Sequence, residues 1–460
     1  MIAVAADRAA VSHKRWFLFG LLALFLILNV QVLFKVQFSS AETRSAIARW
    51  LPQLEQLHDG TDIWRRHNYP NPPIMAVILM PLTYLPAGLG ALTWFYVKVA
   101  LTALAIYWLL SLLDRPERPF PLWGKMLAVL LSLRPIQGDL THGNVNLFIL
   151  FLVVACLAAF TYRRDWLAGL ALALAIACKI TPALFVPYFL WKRAWKTLAA
   201  TSVGLALFFF VVPSLQFGWE KNWMYLQSWH HVMVQPFVVE GSITSEHQNQ
   251  SLPGLAARLL THAPSFATYV DDRYVPVAYH NLADLDRTVL QWILKGCMGL
   301  FALLVLWRCR TPVGDRTDLR LFAEYSVVVL GMLLFSERTW KHHAVTLVVP
   351  FAVLAYSLSA LDLSRGRRGA VIGALALASL AMLSTSTGFL DAHDFIGKTA
   401  QVYGAYVWAY LILAAALFAL LGWSIVPNGR SASRSQWDSD QICTAAAGTR
   451  NSAPCSAATS

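Results

Sequence analysis

The sequence predicts an all-α polytopic membrane protein, and three observations predict it. The 460 residues are 57% hydrophobic and only 13% charged, whereas a soluble globular chain carries roughly a quarter charged residues. Mean hydropathy is +0.52. Apolar runs of about 20 residues, the length that crosses a bilayer, recur along the chain. No periodic polar face interrupts most of them, which sets aside a soluble helical protein with an unusual core. The formal net charge of +12 does not call for nucleic acid. Its Lys and Arg fall in short clusters between apolar runs, as the positive-inside rule expects.

Taken in order, the run from Trp16 to about Val36 follows Arg8 to Arg15. It is too long for a signal-peptide core and no small-residue cleavage site follows, so it reads as a retained first span. The loop at about 37–71 contains Ala46, Arg49, Trp50, Gln53, Leu54 and Leu57, spaced for an amphipathic helix lying in the interface plane. Further runs lie near 72–88, 90–113, 121–137, 145–162, 166–191, 197–218, 288–307, 320–336, 343–361, 369–389 and 403–426. They predict about 11 to 13 transmembrane helices. The run at 166–191 breaks at Lys179-Ile180-Thr181-Pro182, because proline removes a helix donor and disfavours α conformation before it. A second long hydrophilic connection covers about 219–287, and the Ser-rich stretch 428–460 reads as a disordered cytoplasmic tail after a membrane domain at 1–427.

Basic clusters at Lys14/Arg15, Arg163/Arg164, Lys192/Arg193/Lys196, Arg308/Arg310/Arg316, Arg365/Arg367/Arg368 and Arg430/Arg434 set the orientation. With these in the cytoplasm, both termini are cytoplasmic and a bacterial plasma (inner) membrane is the expected location. The outer face then gathers both long loops, Gly143 to Asn146, the Lys179 break and Ser336 to His343. This holds only if a single crossing separates residue 72 from Arg115, so either the Pro-bounded stretch 72–88 is re-entrant or partial or the number of runs is off by one. Cys156, Cys178, Cys297, Cys309, Cys443 and Cys455 form no CxxC or other metal spacing and suggest no disulfide framework.

Five polar stretches on that face could carry chemistry. The first loop offers Glu42, Glu55, Asp59 and Asp62, any one of which reads first as a solvated charge on a surface helix or turn. The stretch from Arg134 through Asp139 and His142 to Asn144 and Asn146 is an aqueous loop or a cavity lining. Lys179 places an ammonium in an apolar run at a cost of roughly 2.5–3.5 kcal/mol. His247 to Pro253, with Asn249 and Gln250, is a weak signal alone. In Ser336 to His343, the cations Arg338 and Lys341, the indole of Trp340 and the imidazoles of His342 and His343 suit an anionic headgroup or an interfacial anchor. The adjacent histidines make a poor metal motif. The acidic clusters Asp284-Leu285-Asp286 and Asp391 to Asp394 read as solvated surface.

The stretches Tyr69-Pro70-Asn71-Pro72-Pro73 with Pro81-Leu82 and Leu85-Pro86, Gly143-Asn144-Val145-Asn146-Leu147, Lys179-Ile180-Thr181-Pro182, Asn249-Gln250-Ser251-Leu252 and Trp340-Lys341-His342-His343 follow one another in this order. Together they resemble glycosyltransferase family 87, related to polyprenyl-phosphate-mannose-dependent mannosyltransferases. The resemblance covers about residues 15 to 425. It implies a GT-C membrane fold and transfer of a hexose, mannose first, from a polyprenyl-phosphate-sugar donor to a lipid-linked or glycan acceptor at the outer face. Membrane lipids are its other partners, with no nucleic acid, metal or cofactor. It also implies a catalytic acid in the first outer loop. Here the chain departs from the family pattern, with Glu42 lying best and Asp62 and Asp59 behind it.

In that scheme Arg338, Lys341 and Lys179 hold the donor phosphate and His342 or His343 orients phosphate or acceptor. Trp340, Asn144, Asn146, Asn249 and Gln250 complete the substrate site, and His343 joins the catalytic candidates. The rival class is a transporter or flippase of a polar or lipid-linked solute, which also uses intramembrane charge and broken helices. Against it, the sequence has no internal repeat and no matched pair of broken helices.

Overall fold

A computed structural model describes residues 2–38, 45–270, 273–386 and 396–423. Glu42, the Asp391 to Asp394 cluster, Cys443, Cys455 and the tail at 428–460 lie outside the described residues. Among the described residues seven helices are long and apolar enough to cross a membrane: Lys14–Phe34, Ala87–Leu113, Trp195–Phe217, Arg287–Arg308, Lys341–Ala360, Arg365–Ser384 and Ala405–Gly422. Shorter apolar helices, Asn146–Thr161 and Asp165–Cys178, pack among them.

The centre of the bundle is the pair Leu319–Leu334 and Val348–Ala360, buried almost all round. A helix that is hydrophobic on every side belongs in such a position. Leu122–His142 and Ala405–Gly422 pack against this pair. Asp165–Cys178 crosses the helix starting at Trp195 through small residues: a Cβ on Gly169 would collide with the Thr197 carbonyl, and one on Gly204 with Ala173. Helices in lipid gain little from burying apolar surface against each other, so close backbone packing through glycine and alanine supplies the contact.

The stretch Pro73–Tyr84 does not cross the bundle. It begins soon after Tyr69, whose ring lies 5.7 Å from that of Trp50. It ends where the Tyr84 ring lies 5.4 Å from that of His58, and Thr83 Oγ1 lies 3.1 Å from His58 Nε2. Both ends therefore sit beside the helix Ala46–His58. One helix long and apolar enough to cross, Ala87–Leu113, leads on to Arg115, as the shared-face arrangement requires.

The opposite end collects the basic clusters. Lys192 pairs with Glu324 at 2.7 Å, Arg320 pairs with the same carboxylate at 3.3 Å, and Arg316 pairs with Asp165.

The first loop folds as its spacing predicts. Ser45 caps the helix Ala46–His58, accepting from Ala48 N, and Ala46, Trp50, Leu54 and Leu57 are buried on one face with Ile47 and Leu51. That face packs into the protein, so the helix lies against the bundle. A departure from all-α structure is the antiparallel hairpin Pro264–Val270 with Arg273–Tyr279 in the second long loop. Its β-branched and aromatic residues, flanking Asp271-Asp272, carry the ordinary strand signal.

Candidate active site

The polar stretches converge on one cavity of about 1280 Å³. Arg49 and Asn71 from the first loop, Asn144, Lys179, the segment 229–243, and Glu337, Arg338, Trp340 and His343 all border it. One side is apolar, formed by Phe237, Val238, Leu294, Met298 and Phe335. Part of that wall is the wide π-helical segment His230–Val239, a geometry often found at functional sites.

Lys179 is positioned by a helix that cannot continue. Asp165–Cys178 stops one residue before it, Lys179 is extended (φ −159°, ψ 123°), and Pro182 starts a 3₁₀ turn. Its Nζ donates to Asn146 Oδ1 at 2.6 Å. Asn146 Nδ2 donates to Asp139 Oδ1 at 2.9 Å. Lys98 Nζ in turn donates to the Asp139 carbonyl at 2.8 Å and to Oδ2 at 3.3 Å. The chain reverses between Asp139 and Asn146 at Gly143, whose φ of +71° suits glycine, and a Cβ there would stand 2.9 Å from Ile47 Cγ2. Close approach to the Ala46–His58 helix thus depends on that glycine.

Arg338 is held from three sides. Its guanidinium lies 5.1 Å over the Phe237 ring, Nε reaches Thr244 Oγ1 at 3.5 Å, and Nε lies 3.7 Å from Glu337 Oε1. Burial pushes the Glu337 carboxyl up to about 7, against the pull of Arg338 and Lys179. Glu240 and Glu337 are the carboxylates on the cavity wall among the described residues.

The aromatic group sits beside these charges. Trp340 stacks near-parallel on His343 with centroids 6.4 Å apart, and Trp340 N donates to His343 Nδ1 at 3.3 Å. His342 is one layer behind, its ring 4.3 Å from that of His142 and its Nε2 3.2 Å from Asn144 Nδ2. His142 itself borders the cavity.

Several sequence candidates stand elsewhere. Asp59 is exposed at a helix C-terminus. Asp62 caps the short helix Ile63–His67, with Oδ1 accepting from Trp64 N and Arg65 N, while Oδ2 accepts from Ser228 Oγ at 2.5 Å. Neither carboxylate borders the cavity. Lys341 donates to the Thr385 carbonyl at 2.9 Å and is not among the lining residues. Asn249 and Gln250 are fully enclosed and support the rim from behind. Asn249 donates to the Glu337 carbonyl and accepts from Thr339 N, while Gln250 N donates to the Thr339 carbonyl. The Gln250 amide bonds the His247 and Gln401 carbonyls and Tyr406 N. These amides spend their capacity on backbone, so they position residues 337–339 and have little left for a ligand.

Sequence reasoning missed Lys98, Asp139 as its partner, and Glu337. Lys98 carries the signal that exposed Lys179, a lone ammonium in an apolar run. Among the described residues no group of three or more His, Cys, Asp and Glu is arranged to hold a metal ion.

Comparison with known proteins gives the site its class. The family model "Glycosyltransferase family 87" matches residues 69–336. The polyprenol-phosphate-mannose-dependent alpha-(1-2)-phosphatidylinositol mannoside mannosyltransferase of Mycobacterium tuberculosis is 27% identical over 328 residues, 68% of this chain and 66% of that one. The chain thus spans just under two thirds of that relative's length. The protein of the same description in Mycolicibacterium smegmatis is 29% identical over 73% of this chain and 72% of its own. A polyprenol-phosphate-mannose-dependent alpha-(1-2)-phosphatidylinositol pentamannoside mannosyltransferase of M. smegmatis is 28% identical over 76% and 75%. No solved structure matches the chain. A predominantly helical membrane bundle whose polar stretches share a cavity, and a family match over more than half its length, mark the chain as a GT-C membrane glycosyltransferase that belongs to glycosyltransferase family 87.

Proposed function

We propose that the protein transfers a hexose, mannose first, from a polyprenyl-phosphate-sugar to a lipid-linked or glycan acceptor at the outer face of a plasma (inner) membrane, with both termini in the cytoplasm. The observation that carries this reading is the meeting of Lys179 and Arg338 on one cavity whose other wall is apolar. A lipid phosphodiester needs both: cations for one negative charge and a greasy surface for the chain beside it. The names of the relatives, which are described as polyprenol-phosphate-mannose-dependent, support the same donor.

In this reading Lys179 and Arg338 hold the donor phosphate and stabilise the charge that builds on it as it leaves. The acceptor hydroxyl oxygen attacks the anomeric carbon through an oxocarbenium-like transition state. The bond from that carbon to the phosphate oxygen breaks, and polyprenyl phosphate departs with the electron pair. A carboxylate takes the hydroxyl proton. Glu42 is the first-loop carboxylate we assign to that task, since neither Asp59 nor Asp62 borders the cavity. Glu337 is the alternative on the cavity wall. His343 and Trp340 line the position a sugar ring would take next to the phosphate.

The test is mannose transfer from polyprenyl-phospho-mannose in membranes carrying wild type or the variants Glu42→Gln, Glu337→Gln, Asp59→Asn and Asp62→Asn. Loss of turnover in Glu42→Gln, with Asp59→Asn unchanged, is expected. Normal turnover in both Glu42→Gln and Glu337→Gln would overturn the assignment of the base. Absence of transfer by wild type, with transfer from another polyprenyl-phospho-sugar, would overturn the choice of mannose.

A further inference from the structure

Lys98 lies within the helix Ala87–Leu113 with no exposed surface, and its partner Asp139 is equally enclosed. Charges taken from water in a membrane bundle persist only where each is matched. Asp139 is matched twice. It receives Lys98 Nζ on Oδ2 and on its main-chain carbonyl, and Asn146 Nδ2 on Oδ1. Asn146 then receives Lys179 Nζ on its own Oδ1. The orientation of that amide is forced, because a carboxylate only accepts and an ammonium only donates. One carboxylate therefore stands between two ammonium groups, and of the two only Lys179 borders the large cavity. Asp139 also lies in direct electrostatic reach of Lys179.

This arrangement settles where the surplus positive charge appears. Without Lys98, the Asp139 charge would fall on Lys179 and compete with any anion in the cavity. With Lys98 present, Asp139 has a private counter-ion and the net charge of the three groups resides at the cavity wall. We infer that Lys98 is a positioning residue for the anionic donor: by neutralising Asp139 it leaves the Lys179 ammonium available to phosphate. This rests on the reading that Lys179 meets the donor phosphate.

The experiment compares binding of a polyprenyl phosphate with binding of the corresponding uncharged polyprenol to the full-length protein in lipid nanodiscs. The ratio of the two affinities reports the phosphate contact alone. Wild type favours the phosphate and Lys179→Met loses that preference. Lys98→Met and Lys98→Gln each lose at least about tenfold of it, with polyprenol binding unchanged. Lys98→Gln keeps a donor for the Asp139 carbonyl, so it serves where Lys98→Met fails to fold. Removing the competing carboxylate as well, in Lys98→Met/Asp139→Asn, restores the preference to within about threefold.

A merely structural Lys98 would not shift the ratio and would not be rescued this way. An unchanged ratio in the folded Lys98 variants, or no recovery in the double variant, overturns the inference while Lys179→Met still shows its loss. If Lys179→Met itself keeps the wild-type ratio, the donor reading fails and the role of Lys98 falls with it.

Discussion

The two ends of the bundle each bury a carboxylate between cations, and they connect it differently. At the basic end Glu324 accepts from Lys192, Arg320 and the Tyr188 hydroxyl. The cations there spend their remaining donors on the carbonyls of Thr311, Arg308 and Leu421. At the cavity end Asp139 is bound to Lys98 and Asn146, and the series continues to Lys179 and stops at open space. The first network closes on itself and joins helices. The second delivers a charge to a cavity. Buried charge alone therefore does not mark function in this protein; whether its hydrogen bonds close or remain open does.

The comparison breaks most sharply at Lys179. Lys179→Met is expected to lower kcat/KM for the donor by roughly 100-fold or more, with little change in thermal stability. The mirror result is expected at the other end. Glu324→Gln leaves two cations facing a neutral group and should cost about 3–5 kcal/mol of stability, while the surviving folded protein keeps its donor KM. If Glu324→Gln were to raise donor KM and Lys179→Met to unfold the protein, the contrast between the ends would be reversed.

A smaller effect is expected at the rim. Asn249→Ala removes the amide that ties the Glu337 carbonyl to Thr339 N, leaving buried backbone groups unpaired at a cost of about 1–3 kcal/mol. Donor KM should rise because Arg338 is no longer held, and turnover assays at a temperature well below the melting point separate the two effects.

The pH dependence sharpens the same point. The Glu337 carboxyl is raised to about 7 by burial, so it is neutral in mild acid and becomes charged as pH rises through that value. In its charged form it competes with the donor for Lys179 and Arg338. A phosphodiester donor keeps its single charge throughout, so donor KM should rise a few-fold between about pH 6 and 8. Glu337→Gln should flatten that limb. The same shift predicts that the contribution of Glu337 to stability, present in acid, is lost as pH rises through about 7. The smallest effect is expected for Asp59→Asn, an exposed cap residue, within about 0.5 kcal/mol in stability and with unchanged transfer.

Much of the membrane architecture was legible because hydrophobic length, basic clusters and proline breaks are local signals. The amphipathic helix at Ala46–His58 and the break at Lys179 are both read from a few adjacent residues. The stretch 72–88 carried no such local signal, and its re-entrant or partial reading came only from requiring all polar stretches to share a face. The site was legible as a set of stretches and not as a set of partners. Nothing local tells that Lys98 reaches Asp139, or that Asn249 and Gln250 turn their amides to the backbone behind the rim. Asp62 shows the same limit, since its bond to Ser228 depends on a contact between the two long loops. The family match displaces the transport alternative, which shares these intramembrane charges and could not be separated from catalysis by them alone.

The central claim is that the cavity holds a lipid phosphate between Lys179 and Arg338. A cryo-electron microscopy structure of the protein with bound polyprenyl phosphate tests it most directly. The account predicts the phosphate within hydrogen-bond distance of Lys179 Nζ and the Arg338 guanidinium, with the lipid chain along Phe237, Leu294 and Met298. A phosphate bound elsewhere, with the cavity holding neither the phosphate nor the chain, would contradict it.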